Sequence, residues 1–253
     1  MRLHVKIKGK YRDSANRFGL WVNRHLSIAR VFILAVSFVV FLVLLPSYIR
    51  DAFWYGLRSN RFLAGILAVF ILLAISLIWT AGQTLDAWVF NVFNLQGPRP
   101  LWLDKVMGGI TQLGSAVAAL VIALILYLVN SHLLAYEMVL GTISLWLVVE
   151  VIKFLVQRSR PFIRMVGTRI VGYRASGRSF PSGHTSQIFF LATLMTQHFH
   201  PNWWIVLLLY AVASLVGITR MYVGAHYPRD VLAGAILGTA WGLLGVVVNQ
   251  YRV

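Results

Sequence analysis

With 253 residues, 59% of them hydrophobic and only 12% charged, and a mean hydropathy of +0.75, the chain lies outside the range of soluble domains and reads as a polytopic membrane protein. Lys and Arg number 23 against 7 Asp and Glu, a net charge of +16; in a membrane protein this points to anionic headgroups or cytoplasmic loops, and no aromatic-interleaved basic groove supports nucleic-acid binding. The absence of cysteine excludes disulfides and thiol chemistry.

Residues 1–30 carry eight basic residues (Arg2, Lys6, Lys8, Lys10, Arg12, Arg17, Arg24, Arg30) against Asp13, and read as a basic arm lying on the membrane surface. Residues 31–49 are an apolar run of bilayer length with no small-residue cleavage site after it, so an anchor is expected and not a removed signal peptide. A loop at 50–61 places Trp54 and Tyr55 at an interface, and 62–80 is the second span, so 31–80 hold two N-terminal transmembrane helices. Residues 81–114 intersperse Asp86, Trp88, Asn91, Asn94, Arg99, Trp102, Asp104 and Lys105 among apolar positions and are broken by Gly97-Pro98 and Pro100. That spacing predicts two short amphipathic helices on the membrane, with a plain connecting loop as the alternative.

Spans at 115–129 and 133–155, joined by Asn130-Ser131-His132, predict a helical hairpin, and further spans are expected at 182–197, 203–222 and 228–248. Trp203 and Trp204 suit an interfacial belt, and Gly234, Gly238 and Gly242 at four-residue spacing would let the last helix approach a neighbour closely. The expected fold is an all-α polytopic transmembrane bundle of six to seven spans with short amphipathic interfacial helices. Residues 115–253 form its core.

Chemistry-bearing polar residues concentrate at three membrane boundaries: Lys153, Arg160 and Pro161; Pro181-Ser182-Gly183-His184; and Thr219-Arg220, His226 and Asp230. If a helix starts at Gly183, Ser182 stands at its N-cap, where free N–H groups and the positive end of the helix dipole favour an anion. Gly183 lets a phosphate approach the backbone, and Lys153, Arg160 and Arg220 add fixed positive charge, so that a phosphate or pyrophosphate needs no metal. Asp230 follows His226 by four residues, and its carboxylate could fix one imidazole nitrogen and leave the other as a nucleophile. His184 would then protonate the leaving oxygen.

These clusters resemble the signature of the PAP2 (type 2 phosphatidic acid phosphatase) superfamily of integral membrane lipid phosphatases, KxxxxxxRP, PSGH and SRxxxxxHxxxD. Lys153 to Arg160-Pro161, Pro181 to His184, and Thr219-Arg220 to His226 and Asp230 match every spacing, with Thr219 in place of the family's serine, which keeps the hydroxyl. The resemblance covers roughly residues 85–245. It implies that His226 becomes a phosphohistidine, Asp230 supports it and His184 is the acid, with Lys153, Arg160, Arg220, Ser182 and Gly183 holding phosphoryl oxygens. It further implies a metal-independent, cofactor-free hydrolase in the cell membrane, acting on phosphatidate, phosphatidylglycerophosphate or undecaprenyl diphosphate. A lipid phosphotransferase using the same residues is the alternative, and a non-catalytic lipid-phosphate binding or transport protein a more distant one.

Other polar residues have plainer readings. Glu150 is expected to pair with Lys153, Arg158, Arg164, Arg169, Arg174 and Arg178 read as loop charges or ligands of a second phosphate, and His198, His200, His4, His25 and His132 as solvated or interfacial. The resemblance implies an extracytoplasmic site, whereas the positive-inside rule applied to residues 1–30 in a seven-span chain would make that face cytoplasmic; the outward face is the expectation.

Overall fold

The computed structural model describes residues 54–56, 58–94, 97 and 99–250, with the isolated positions 36 and 43. The basic arm lies outside the described residues, as does the expected first span apart from helical positions 36 and 43. The labelled helices are α1 Arg61–Ser76, α2 Thr80–Asn94, α3 Leu101–Gln112, α4 Ala116–Leu128, α5 His132–Val156, the single turn α6 Pro161–Arg164, α7 Gly183–Phe199, α8 Trp203–Tyr222 and α9 Pro228–Gln250; no strand occurs among the described residues. By length and composition α5, α8 and α9 can each cross a membrane, and the count reaches five if each of the bent pairs α1–α2 and α3–α4 is one span.

Local chemistry sets the ends of these helices. Asn60, Ser115, Ser182 and Asn202 cap α1, α4, α7 and α8 by accepting the N–H three residues on. Asn130 turns α4 into α5 with φ 63°, and Gln157 closes α5 with φ 55°, both in the left-handed region. The second expected span ends earlier than the apolar pattern suggests, at Ser76, and the chain bends by 98° into α2. Arg229 donates to the Ser76 carbonyl (2.6 Å) and hydroxyl (3.1 Å), so a partner far along the chain satisfies the helix end. Helices α2 and α3 occupy the amphipathic segment, which removes the connecting-loop alternative.

In a bilayer, close packing holds helices together more than apolar burial does. Leu134, Met138, Leu145 and Val149 of α5 meet Phe190, Leu191 and Leu194 of α7, Leu237 of α9, and Ala119 and Ala123 of α4. The glycine spacing of α9 works as expected: a Cβ at Gly234, Gly238 or Gly242 would stand 2.6 Å from the Ser182 carbonyl, 2.1 Å from the Ser186 carbonyl and 2.7 Å from Thr193. This contact fixes α7, which opens on Ser182, against α9, which carries Asp230. On the outside, Leu124, Leu140, Leu147, Phe154, Leu207 and Leu208 are exposed, as lipid-facing side chains are.

Helices α2 and α3 reach the same end of the bundle. Phe90 of α2 packs with Met221 and Tyr227, and Leu103 and Met107 of α3 pack against Tyr222, Val223 and Ala225. The turn from α8 to α9, which holds His226, is thus braced by the amphipathic segment.

Candidate active site

Three sequence-distant boundaries converge around His226. The ring is 2% exposed. Its Nδ1 lies 2.7 Å from the Ser179 carbonyl, and its Nε2 lies 3.2 Å from Arg160 Nη1. A carbonyl only accepts and a guanidinium only donates, so Nδ1 carries the proton and the lone pair sits on Nε2. Burial, aided by the charges of Arg160 and Arg220 and opposed by Asp230, pushes the imidazole down to about 3, so it is neutral at working pH.

Asp230 takes a different position from the one its spacing suggests. Its carboxylate stands 3.8 Å from Nδ1, which is bonded to Ser179 instead. The fully buried carboxylate accepts the Ser179 hydroxyl, the Tyr227 N–H (2.8 Å) and Arg158 Nη1 (2.5 Å). Asp230 therefore acts on the ring through Ser179: it grips the side chain of the residue whose carbonyl sets the tautomer. Pro228 at the start of α9 leaves Asp230 in the first turn, where a carboxylate meets unpaired N–H groups and the positive end of the dipole.

Arg160 is the central cation. It is 4% exposed and donates to the carbonyls of Gly177 (3.2 Å), Ala225 (3.0 Å) and Ser176 (2.8 Å) while keeping Nη1 at His226. The planar fork is spread over two loops and the imidazole. Arg220, at the last turn of α8, donates Nη1 to Thr111 Oγ1 of α3 (2.8 Å), while its buried Nε has no hydrogen-bond partner. A buried donor without an acceptor is costly in a resting fold and is suited to an arriving anion.

Ser182, fully buried, caps α7 as expected; its Oγ lies 2.9 Å from Thr185 Oγ1 and its N–H donates to the Asp230 carbonyl (2.9 Å). A Cβ at Gly183 would stand 4.0 Å from the Lys153 ammonium, so position 183 borders the cations. Lys153 Nζ is 2.7 Å from Glu150, the expected local pair, and Glu150 is half exposed. His184, half-buried in the first turn of α7, is within electrostatic range of Arg220, His226, Lys153 and Arg160. A Cβ on Gly114 would meet the His184 carbonyl at 2.5 Å, so the α3–α4 junction touches the start of α7.

All eight expected residues thus meet at one end of the bundle. Spacing did not reveal Ser179, Thr111 of α3, or the Arg158–Asp86–Arg229 chain; Ser179, Thr111 and Asp86 lie outside the matched signature, and Arg158 and Arg229 stand at its variable positions. Arg158, read as a loop charge, is inside. Arg169, read the same way, pairs with Asp104 (2.8 Å), which also accepts the Tyr222 hydroxyl (2.6 Å). The one available hint was scarcity: an acid such as Asp86 in an apolar segment of a chain with 7 acids demands a partner. Among the described residues no three His, Asp or Glu side chains converge as metal ligands would.

The sequence profile of the PAP2 superfamily matches residues 132–253. The chain is 27% identical over 193 residues to an undecaprenyl-diphosphatase of Sulfolobus acidocaldarius, covering 73% of this chain and 90% of that one. It is 31% identical over 185 residues to phosphatidylglycerophosphatase B of Bacillus subtilis, covering 67% and 85%. The crystal structure of a transmembrane PAP2-type phosphatidylglycerolphosphate phosphatase from Bacillus subtilis superposes with a TM-score of 0.65 at 26% identity, covering 76% of this chain and 97% of that one.

Proposed function

The chain belongs to the PAP2 superfamily and is a membrane lipid phosphatase, and on that premise we propose that it removes the terminal phosphoryl group of a lipid phosphate or diphosphate through a phosphohistidine at His226 Nε2. The supporting observation is the buried neutral imidazole, with its proton tied to the Ser179 carbonyl and its lone pair beside Arg160. In the first step Nε2 attacks phosphorus, the N–P bond forms as the P–O bond to the lipid breaks, and His184 gives its proton to the leaving oxygen. In the second, water gives a proton to His184 and attacks phosphorus, and inorganic phosphate leaves as Nε2 regains its lone pair. Lys153, Arg160, Arg220 and the N–H groups behind Ser182 and Gly183 stabilise the charge on the phosphoryl oxygens. The relatives' substrates, an undecaprenyl diphosphate and a phosphatidylglycerophosphate, share a terminal phosphoryl group on a lipid, and phosphatidate belongs to the same class.

The test uses purified protein and a lipid diphosphate labelled in its terminal phosphate, with and without acceptor lipids. Inorganic phosphate is released in EDTA, and vanadate or tungstate inhibits. Loss of activity in EDTA restored by magnesium would overturn the metal-independent reading, and label appearing in an acceptor lipid would establish phosphotransfer instead.

The site is further proposed to face away from the cytoplasm. Helix α9 starts at the site and runs from Pro228 to Gln250, so if it crosses, the C-terminus lies on the opposite face whatever the total span count. A fluorescent protein fused after Val253 should glow and an alkaline phosphatase there should be silent; the reverse would place the site in the cytoplasm.

A further inference from the structure

Beyond the residues that hold phosphate runs a buried ionic chain the reaction does not obviously need. Arg158 places Nη1 2.5 Å from Asp230 and bonds Asp86 of α2 through Nη2, while its guanidinium lies 4.3 Å over the Tyr227 ring. Asp86, 2% exposed, also accepts the N–H of Arg229 (3.1 Å) and its Nε (2.7 Å). Arg229 in turn holds the end of α1 through Ser76. Two carboxylates and two guanidiniums balance. The second carboxylate lies on the amphipathic segment, far in sequence from the signature.

We propose that Arg158, aimed by Asp86, is a positioning residue for phosphoryl transfer: it engages the Asp230 carboxylate so that the His226 imidazole keeps its proton on Ser179 and its lone pair on Nε2. The proposal rests on His226 being the nucleophile. Its physical basis is that Asp230 sits 3.8 Å from Nδ1. An uncompensated carboxylate at that distance in a buried site would draw a second proton onto the ring, and an imidazolium has no lone pair with which to attack. The other charged groups facing the ring are Arg160 at the start of α6, Arg220 at the end of α8 and His184 of α7. Lys153 of α5 is within electrostatic range of His184, with Glu150 beside it. Arg160, Arg220 and Lys153 are cations that face the ring or His184, so Arg158 is the group set against Asp230 itself.

The experiment is the pH profile of kcat/KM for one lipid phosphate, measured side by side for wild type, Arg158→Met, Asp86→Asn and the double variant Arg158→Met with Asp86→Asn. Arg158→Met is expected to move the acid limb upward by about 1–2 pH units, as the ring takes up a proton beside the uncompensated Asp230. Asp86→Asn retains the Arg158–Asp230 bond and leaves that limb in place or lowers it. The double variant removes one buried charge of each sign, which protects folding if Arg158→Met alone is not recovered, and it too should show the upward move. An acid limb unmoved in the double variant overturns the proposal, as does a uniform loss of rate at every pH, which is the mark of a merely structural residue. Failure of the underlying reading looks different: His226→Ala would retain turnover, whatever the Arg158 variants do.

Discussion

Replacing His226 with alanine abolishes turnover of a lipid phosphate while the protein stays folded and inserted. General acid–base assistance alone is worth about 10²–10⁴-fold, and loss of a group that forms the covalent bond costs more. The fold tolerates the change because the ring's one backbone bond, to Ser179, is replaced by a single unsatisfied carbonyl, at about 1–3 kcal/mol. Rate measured in detergent or liposomes, beside the size-exclusion profile, checks both halves; a residual rate above about a tenth of wild type would exceed what a missing nucleophile permits. The same histidine sets a pH dependence of stability. Its folded value, about 3, is below the unfolded value of 6.5, so the contribution of the neutral ring is complete above about 6.5 and is lost as pH falls towards 3. The unfolding midpoint of wild type relative to His226→Ala should therefore fall between pH 7 and pH 4.

The second large effect is expected at Arg160, where lysine does not substitute. One guanidinium spans the Gly177, Ala225 and Ser176 carbonyls and His226 Nε2, and an ammonium on a flexible stem cannot reach all four at once. Arg160→Lys leaves the buried Ala225 carbonyl unpaired, loosens the 176–177 loop and removes the donor at the attacking nitrogen. Loss of one preorganised donor costs roughly 10²–10³ in kcat, and that is the expected range here. Lys153→Arg should be milder, because Lys153 acts as a point charge tethered by Glu150. Arg160→Lys within about threefold of wild type would show that its planar geometry is not what the site uses.

What the sequence by itself determined was local or metric. Helix positions from 115 onward followed from apolar run length, although only α5, α8 and α9 are each long and apolar enough to cross alone, and the Ser182 cap and Pro228 start follow from local hydrogen bonding and the fixed φ of proline. The glycine ladder of α9 was legible because four-residue spacing lines up one helix face, and the eight site residues because three motifs sit at the same end of consecutive spans. The tertiary structure decided what depends on partners far along the chain. Asp86 meets Arg158 and Arg229 across 72 and 143 residues, Thr111 meets Arg220 across 109, and Arg229 satisfies the Ser76 end of α1 across 153. It also decided that a backbone carbonyl, and not Asp230, orients His226. A four-residue interval brings a carboxylate near a ring; which acceptor takes the proton depends on the loop folded over it, and no side-chain pattern encodes the position of a main-chain carbonyl.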